Sequence, residues 1–378
     1  MTNYRQKNSG STPLPGNWLK NVFFLVAILL FTVGPAFAAK KVWYPVDVDV
    51  WNPPFNKFRQ REQKQYNPLK KARKKWHLSV FIPHLKDAYW LGVNYGLIDE
   101  ARRLGISLTI YQAGGYGQLA VQRKQINTVI SGSIRKTDGL IIGAISATGL
   151  NDIVKNAANM KIPVLDLING ISSPHITARA AVSFWDTGFQ AGTYLSRIQK
   201  KKDKPLNIGW FPGPEGAGWV MAGDTGLREA IRGNNITILV SQHGDTGSAA
   251  QGKLVQGALD RYGEKIDIIV GTAVTAEVAV KIIRKLGLKR KVQTLSYYYS
   301  PGVHRGIRRG EIVAAPTDQT VLQARIAVDT LVRIIEKKKY YKHVAPSVTV
   351  VDRQNIRSWD SSTTLAPRGF RPIFSINE

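Results

Sequence analysis

Two doubly wound α/β lobes, each a parallel sheet covered by helices and the pair joined by a hinge, are the fold this sequence predicts. Three observations predict it. From His77 onward, apolar runs of strand length alternate with segments of helical period, linked by short connections. That rhythm lapses and then restarts at Leu206. The 378-residue chain is long enough to give each half a core of its own.

The opening segment precedes this pattern. Arg5, Lys7 and Lys20 lead into an apolar run over 22–33, which ends at Pro35 and Ala36-Phe37-Ala38-Ala39. A cationic start, a short apolar stretch and a small-x-small site predict a secretory signal peptide over 1–38, and hence a periplasmic protein. A membrane anchor is the alternative reading. The uninterrupted apolar stretch is shorter than the ~20 residues that span a bilayer, which favours cleavage. There is no cysteine, so disulfides and thiolate chemistry are excluded. Residues 39–76 carry Trp43, Tyr44, Trp51, Pro53-Pro54 and Phe55, then a basic stretch to Trp76. Read as having neither helical nor alternating period, they predict an extended arm that packs on another surface, or else a poorly ordered leader.

Strands are expected at 78–82, 108–111, 139–143 and 164–167, with helices at 89–104, 119–130 and 150–160 between them. The second half repeats the scheme. Its strands fall at 206–210, 236–240, 267–270 and 293–296, its helices at 218–232, 249–262 and 275–286. The chain crosses between lobes a last time at Asp318-Gln319, which either touch a ligand or brace the hinge. The expected division assigns 77–179 and 319–340 to the first lobe, and 180–318 and 341–378 to the second.

Ligands of such sheets bind outside the carboxyl ends of the strands, which in a two-lobed protein is the cleft between lobes. Those ends are aromatic here. Pro83-His84-Leu85-Lys86-Asp87-Ala88-Tyr89-Trp90 follows the first strand and Gly114-Gly115-Tyr116-Gly117 the second. Phe184-Trp185-Asp186 opens the second lobe, and the strand ending at Ser296 runs into Tyr297-Tyr298-Tyr299. Rings from four separated segments converging on one cleft have the composition of a cage for a methylated cation. The alternative is that they fill a core or cover the hinge. Asp87 either neutralises the cationic end of a ligand or caps the helix that follows.

Catalytic and cofactor chemistry is not indicated. The six histidines lack metal-ligand spacing, and no dinucleotide fingerprint, phosphate loop or nucleophile elbow occurs. Gly244-Asp245-Thr246-Gly247 resembles an acid-protease triplet in a single copy, where the dyad needs two. The expectation is therefore a binding protein, with no enzyme activity, cofactor or metal.

A formal charge of +27 invites a nucleic-acid reading. The excess lies in short runs, Lys70-Lys71-Ala72-Arg73-Lys74-Lys75, Lys200-Lys201-Lys202, Lys289-Arg290-Lys291 and Lys337-Lys338-Lys339, with no nucleic-acid motif beside them. They read as solvated faces, or as peripheral contacts with anionic lipid headgroups or an acidic partner.

Several motifs carry a resemblance. Leu85-Lys86-Asp87-Ala88-Tyr89-Trp90-Leu91-Gly92-Val93-Asn94-Tyr95-Gly96 resembles the opening motif of the TorT family of periplasmic trimethylamine N-oxide-binding proteins, as does Ala113-Gly114-Gly115-Tyr116-Gly117-Gln118-Leu119-Ala120. Phe211-Pro212-Gly213-Pro214, Arg305-Gly306-Ile307-Arg308-Arg309-Gly310 and Gly369-Phe370-Arg371-Pro372 extend it to the end of the chain. The resemblance implies the type I periplasmic binding-protein fold and a cleft for trimethylamine N-oxide. It also implies a partner, the sensor domain of a TorS-like membrane histidine kinase of the trimethylamine N-oxide reductase system. Carried over by motif, the ligand-binding positions are Asp87, Tyr89, Trp90 and Tyr116, with Trp185 or Phe184, and Tyr299 or Tyr298. The basic charge and residues 39–76 depart from the family pattern and bear on the kinase partnership more than on the ligand. The rival function is the binding subunit of an ABC uptake system for a sugar or other small solute, since the fold is shared.

Overall fold

The computed structural model describes residues 44–56 and 60–377. The expected signal peptide over 1–38, and Trp43 of the arm, lie outside the described residues. Among those residues no helix is long and apolar enough to cross a membrane.

The arm is part of the first lobe. β1 (Val46–Trp51) and β2 (Arg61–Tyr66) form an antiparallel pair. Val46, Val48 and Val50 alternate with Asp47 and Asp49, which is a strand period, so this stretch is not the aperiodic arm expected over 39–76. The core of the lobe follows as β3 (His77–Ile82), α1 (Ala88–Leu104), β4 (Ser107–Gln112), α2 (Leu119–Ile130), β5 (Gly139–Ile142), α3 (Asn151–Asn159), β6 (Val164–Leu167) and β7 (Ala178–Ala180). Strands β5 and β6 are buried along their whole length, as apolar runs covered on both faces must be.

The second lobe opens with α4 (Phe184–Lys202) and continues through β8 (Leu206–Phe211), α5 (Gly218–Ile231), β9 (Ile236–Ser241), α6 (Ser248–Tyr262), β10 (Ile268–Gly271), α7 (Ala273–Lys285), β11 (Gln293–Ser296), α8 (Pro301–Arg309) and β12 (Ala314–Thr317). Helix α9 (Thr320–Ile335) then returns to the first lobe. β13 (His343–Pro346), β14 (Thr349–Asp352) and β15 (Ser375–Ile376) complete the strands.

Two main sheets result. The first has nine strands in the order β15-β4-β3-β5-β6-β7-β13-β1-β2, its inner members from β4 to β13 parallel and β1, β2 and β15 antiparallel at the edges. The second is the parallel sheet β11-β10-β8-β9, with β12 and β14 paired antiparallel. This corrects the expected division of the chain. Residues 341–378 do not all join the second lobe, because β13 and β15 pair into the first sheet. Strands of four and two residues carry no pattern that tells one sheet from another.

Each lobe has its own apolar centre. Phe81, Leu140, Ile142, Leu150 and Val154 pack together in the first lobe, and Phe211, Val255, Leu259, Ile269 and Ile283 in the second. Each such side chain contributes about 1.5–3 kcal/mol on burial. Helices α4 and α5 approach so closely that a Cβ on Gly188 or Gly226 would lie 2.0 Å from a backbone oxygen of the other helix. That contact fixes α4, and with it Phe184 at its first turn, against the second lobe.

Candidate functional site

Strand ends position every wall of one enclosed cavity. In the first lobe, the loop after β3 leads to Asp87, whose Oδ1 accepts from the backbone N–H groups of Tyr89 (3.1 Å) and Trp90 (3.2 Å) and caps α1. The loop after β4 turns through Gly114 and Gly115, with φ of 99° and 151°, to present Tyr116. In the second lobe, Phe184 begins α4 behind its cap Ser183, and the loop after β11 delivers Tyr298.

The cavity is small: its free volume is about 20 Å³, room for little more than one water molecule. Asp87, Tyr89, Trp90, Tyr116 and Asn169 line it from the first lobe. Phe184, Trp219, Thr246 and Tyr298 line it from the second. The rings meet mostly edge to face. Tyr89 and Tyr298 lie 5.3 Å apart at 75°, and Trp219 and Tyr298 6.0 Å apart at 82°. Tyr116 faces Trp219 at 5.9 Å, and Phe184 faces Trp219 at 5.8 Å.

Tyr89–Tyr298 and Tyr116–Trp219 are contacts between lobes. Further links join the same two rims. Lys86 Nζ donates to both carboxylate oxygens of Asp245 at 3.1 Å, and His84 Nε2 lies 3.3 Å from the Thr246 hydroxyl. The lobes are therefore closed on each other around the cavity.

Asp87 is the carboxylate of this lining, and no Lys, Arg or His is among its described lining residues. Burial raises the Asp87 carboxyl to about 6, against the pull of the two helix N–H groups. Asp318 is likewise pushed up to about 6 by burial, while its Oδ2 accepts from the Tyr89 hydroxyl and from Gln323 Nε2 at 3.0 Å. His84 is held down to about 4 by burial and then by Lys86, so it is neutral. Burial also raises the Tyr116 and Tyr298 hydroxyls, which stay protonated. The Tyr116 oxygen accepts from Asn169 Nδ2 at 3.0 Å. The Trp219 indole N–H, close to that oxygen, makes no hydrogen bond of standard geometry although it is buried. A wall of this kind offers ring faces, one anionic group and the Trp219 N–H in a small buried space.

Of the positions expected from the sequence, Asp87, Tyr89, Trp90, Tyr116, Phe184 and Tyr298 are in the cavity wall. Trp185 and Tyr299 are not, and both expectations are corrected. Trp185 follows Phe184 on α4, so it points about 100° away around the helix; it stacks on Phe189 at 4.5 Å and donates Nε1–H to Glu229 at 2.9 Å. Tyr299 is buried elsewhere, against Trp359 at 4.8 Å and with its hydroxyl 2.9 Å from His304 Nδ1. Asp318 sits behind Tyr89, outside the lining itself. Gln319, with φ of 54°, donates Nε2–H to the Ser347 carbonyl at 3.0 Å and so ties two crossings between lobes. Asn169, Trp219 and Thr246 were missed. All three follow the carboxyl ends of strands, β6, β8 and β9, so the rule that pointed to the other segments would have found them.

Among the described residues no group of three His, Cys, Asp or Glu side chains is placed to hold a metal ion. Comparison with known proteins adds the family. The sequence profile of the periplasmic binding protein domain matches residues 78–339. The periplasmic protein TorT of Escherichia coli (strain K12) is 36% identical over 307 residues, which span 81% of this chain and 86% of TorT. A solved ABC transporter solute-binding protein from Bradyrhizobium sp. BTAi1, with bound bis-tris, is 49% identical, with a TM-score of 0.76 over 88% of this chain and 98% of that one. The complex of the TorS sensor domain with TorT, solved without ligand, superposes with a TM-score of 0.72 at 29% identity, covering 79% of this chain and 100% of that one. The fold is the type I periplasmic binding-protein fold.

Proposed function

The chain belongs to the periplasmic binding protein domain family, and from that membership we propose that it binds trimethylamine N-oxide in the aromatic cavity and reports occupancy to the sensor domain of a membrane histidine kinase. One observation carries this reading. Six rings from both lobes and a single carboxylate wall one small closed space. Ring faces attract the positive methyl surface of a quaternary nitrogen, and the gain grows when water is excluded. Asp87 adds a negative charge beside it, and the Trp219 N–H is a donor available to the oxide oxygen. The closed space, about 20 Å³, is far below the ~300–1,000 Å³ of pockets for drug-sized ligands, so a guest is admitted only as the rings move apart. At about 1.5 kcal/mol per heavy atom, so small a guest binds with at most ~7.5 kcal/mol, which is low-micromolar affinity. Reaching that ceiling requires contact on every side, so closure of the lobes is part of binding. The kinase then senses the ligand through whatever difference its sensor domain makes between open and closed forms. The relation to TorT, and the complexes of TorT with the TorS sensor domain solved without ligand and with trimethylamine N-oxide, support this partner.

A second reading has an observation of its own. The Bradyrhizobium relative is described as a transporter component, and the bis-tris bound to it is a substituted amine. An uptake subunit for an alkylated amine would use the same wall. Calorimetry with trimethylamine N-oxide, betaine, bis-tris and ribose on the exported protein separates the ligands. Heat is expected with trimethylamine N-oxide and none with ribose, whose hydroxyls would meet few polar partners; ribose binding alone would overturn the proposal. Co-purification with a kinase sensor domain, against loss of solute uptake on gene deletion, separates the partners.

A further inference from the structure

We infer that the exposed basic end of the first lobe, remote from the cavity, is a docking surface for an anionic lipid bilayer. Two runs far apart in sequence meet there. The segment after β2 is fastened to the ends of α1 and α9. Ala72 N–H donates to Leu104 O at 3.2 Å and Trp76 Nε1–H to Glu336 Oε1 at 3.0 Å, while Arg103 and Arg333 donate to the carbonyls of Leu69 and Asn67. These bonds set the run 70–75 beside the run 337–339 that follows α9. Lys70, Lys71, Lys74 and Lys75 are exposed, as are Lys337 and Lys339. Lys136, also exposed, joins them through its carbonyl, 2.9 Å from His77 Nδ1 at the start of β3.

The carboxylates touching this end do not offset that charge. Glu100, Asp329 and Glu336 are buried, and Asp138 accepts from the His77 N–H at 2.8 Å. Asp329 is bound to Tyr66, Leu69 N–H and Arg333, and Glu336 to Arg73 N–H, Trp76 and Lys338. Charge of one sign is left facing solvent. A helix dipole accounts for the lysines after α9, and for 200–202 closing α4 in the other lobe. The run 70–75 lies against the carboxyl ends of α1 and α9, where the helix dipoles also favour positive charge.

Three features favour a bilayer over a folded acidic partner. The charges are mostly lysine, a hydrated point charge suited to a diffuse headgroup layer, without the paired fork that a defined carboxylate or phosphate site calls for. The surface lies at the amino ends of β3 and β4 and the carboxyl ends of α1 and α9, away from the cavity at the opposite strand ends, so docking leaves the cavity rims free to open. The described chain also enters here. The Tyr44 ring lies 5.6 Å from the Arg103 guanidinium.

The test is co-sedimentation of the exported protein, in the form the cell produces, with phosphatidylglycerol-containing vesicles and with pure phosphatidylcholine vesicles. Binding to the first and not the second, reversed by salt, is expected. Joint Lys70→Glu, Lys71→Glu, Lys74→Glu and Lys75→Glu substitution should lower the partition coefficient by more than about a hundredfold. The Gln versions should show a smaller loss, and Lys200→Glu, Lys201→Glu, Lys202→Glu in the other lobe should change it little. An unshifted thermal midpoint in each variant shows that the fold is intact. Absence of binding to the anionic vesicles, equal binding to both kinds, undiminished binding by the four-fold Glu variant, or binding to a soluble polyanion with none to vesicles would each overturn the inference.

Discussion

The two lobes meet one cavity with different chemistry. The first contributes Asp87, Asn169, Trp90 and two tyrosines, Tyr89 donating its hydroxyl to Asp318 and Tyr116 accepting from Asn169. The second contributes mainly ring area, from Phe184, Trp219 and Tyr298. Each lobe supplies three rings, and the first alone adds a carboxylate. Neither lobe alone surrounds a guest, so affinity on this arrangement is inseparable from closure. The frameworks differ in step with this. The sheet that carries the polar wall is reinforced by edge strands from both chain ends, whereas the ring-bearing lobe is a four-stranded parallel sheet whose first helix is clamped through glycines.

That contrast can be broken at its strongest point first. Trp90, 2% exposed, belongs to the polar lobe yet supplies the largest ring there. Trp90→Ala should reduce affinity for trimethylamine N-oxide by more than about a hundredfold by calorimetry, and lower stability by about 3–5 kcal/mol. Trp90→Phe, which keeps the fold, should lose about tenfold. Undiminished binding in either variant would remove the cage. Next, Trp219→Ala should cost about twentyfold, since it opens the second wall, and Trp219→Phe less. If both leave affinity unchanged, the second lobe only covers the site and the contrast fails.

Asp87 sharpens the comparison through pH. Its carboxyl stands raised to about 6 by burial, and the ionised form is the one that attracts the positive methyl surface of the guest. Affinity should therefore hold above pH 6 and decline as the pH falls through that value and the group takes up its proton. Asp87→Asn should bind about tenfold more weakly at neutral pH and show no such decline. The smallest effects lie outside the wall. Trp185→Ala and Tyr299→Phe should change affinity less than about twofold. Lys86→Ala removes a half-exposed interlobe ion pair worth ~0.2–1 kcal/mol, and should weaken binding by a few-fold at most.

Much of this architecture was legible in the residues. The strand expected at 139–143 ends one residue past β5, and the run at 164–167 and the periodic segment at 119–130 coincide with β6 and α2, because a buried strand and an amphipathic helix each write their period locally. The site was legible by position: loops after the strands that carry aromatics led to Tyr89, Trp90, Tyr116 and Tyr298. The same rule held for Asn169, Thr246 and Trp219 at the start of α5, but a single Asn, Thr or Trp does not stand out where a Tyr-Tyr-Tyr run does. Strand β1 was hidden because Asp47 and Asp49 make an alternating segment look like a solvated one. Asp49 is in fact buried, held by Arg61, Gln63 and Ser347.

What the chain determined by itself is the order of strands and helices, the restart that makes two lobes, and the set of loops gathered at one cleft. Those depend on period and on connection length, which are properties of short stretches. Tertiary structure alone decided which of Phe184 and Trp185, and which of Tyr298 and Tyr299, faces the guest, since adjacent residues point to different sides and only the packing of the element selects one. It also decided that β13 and β15 join the first sheet and that the run 70–75 lies against 337–339. Contacts between residues so distant in sequence depend on where whole elements dock, which no local pattern records.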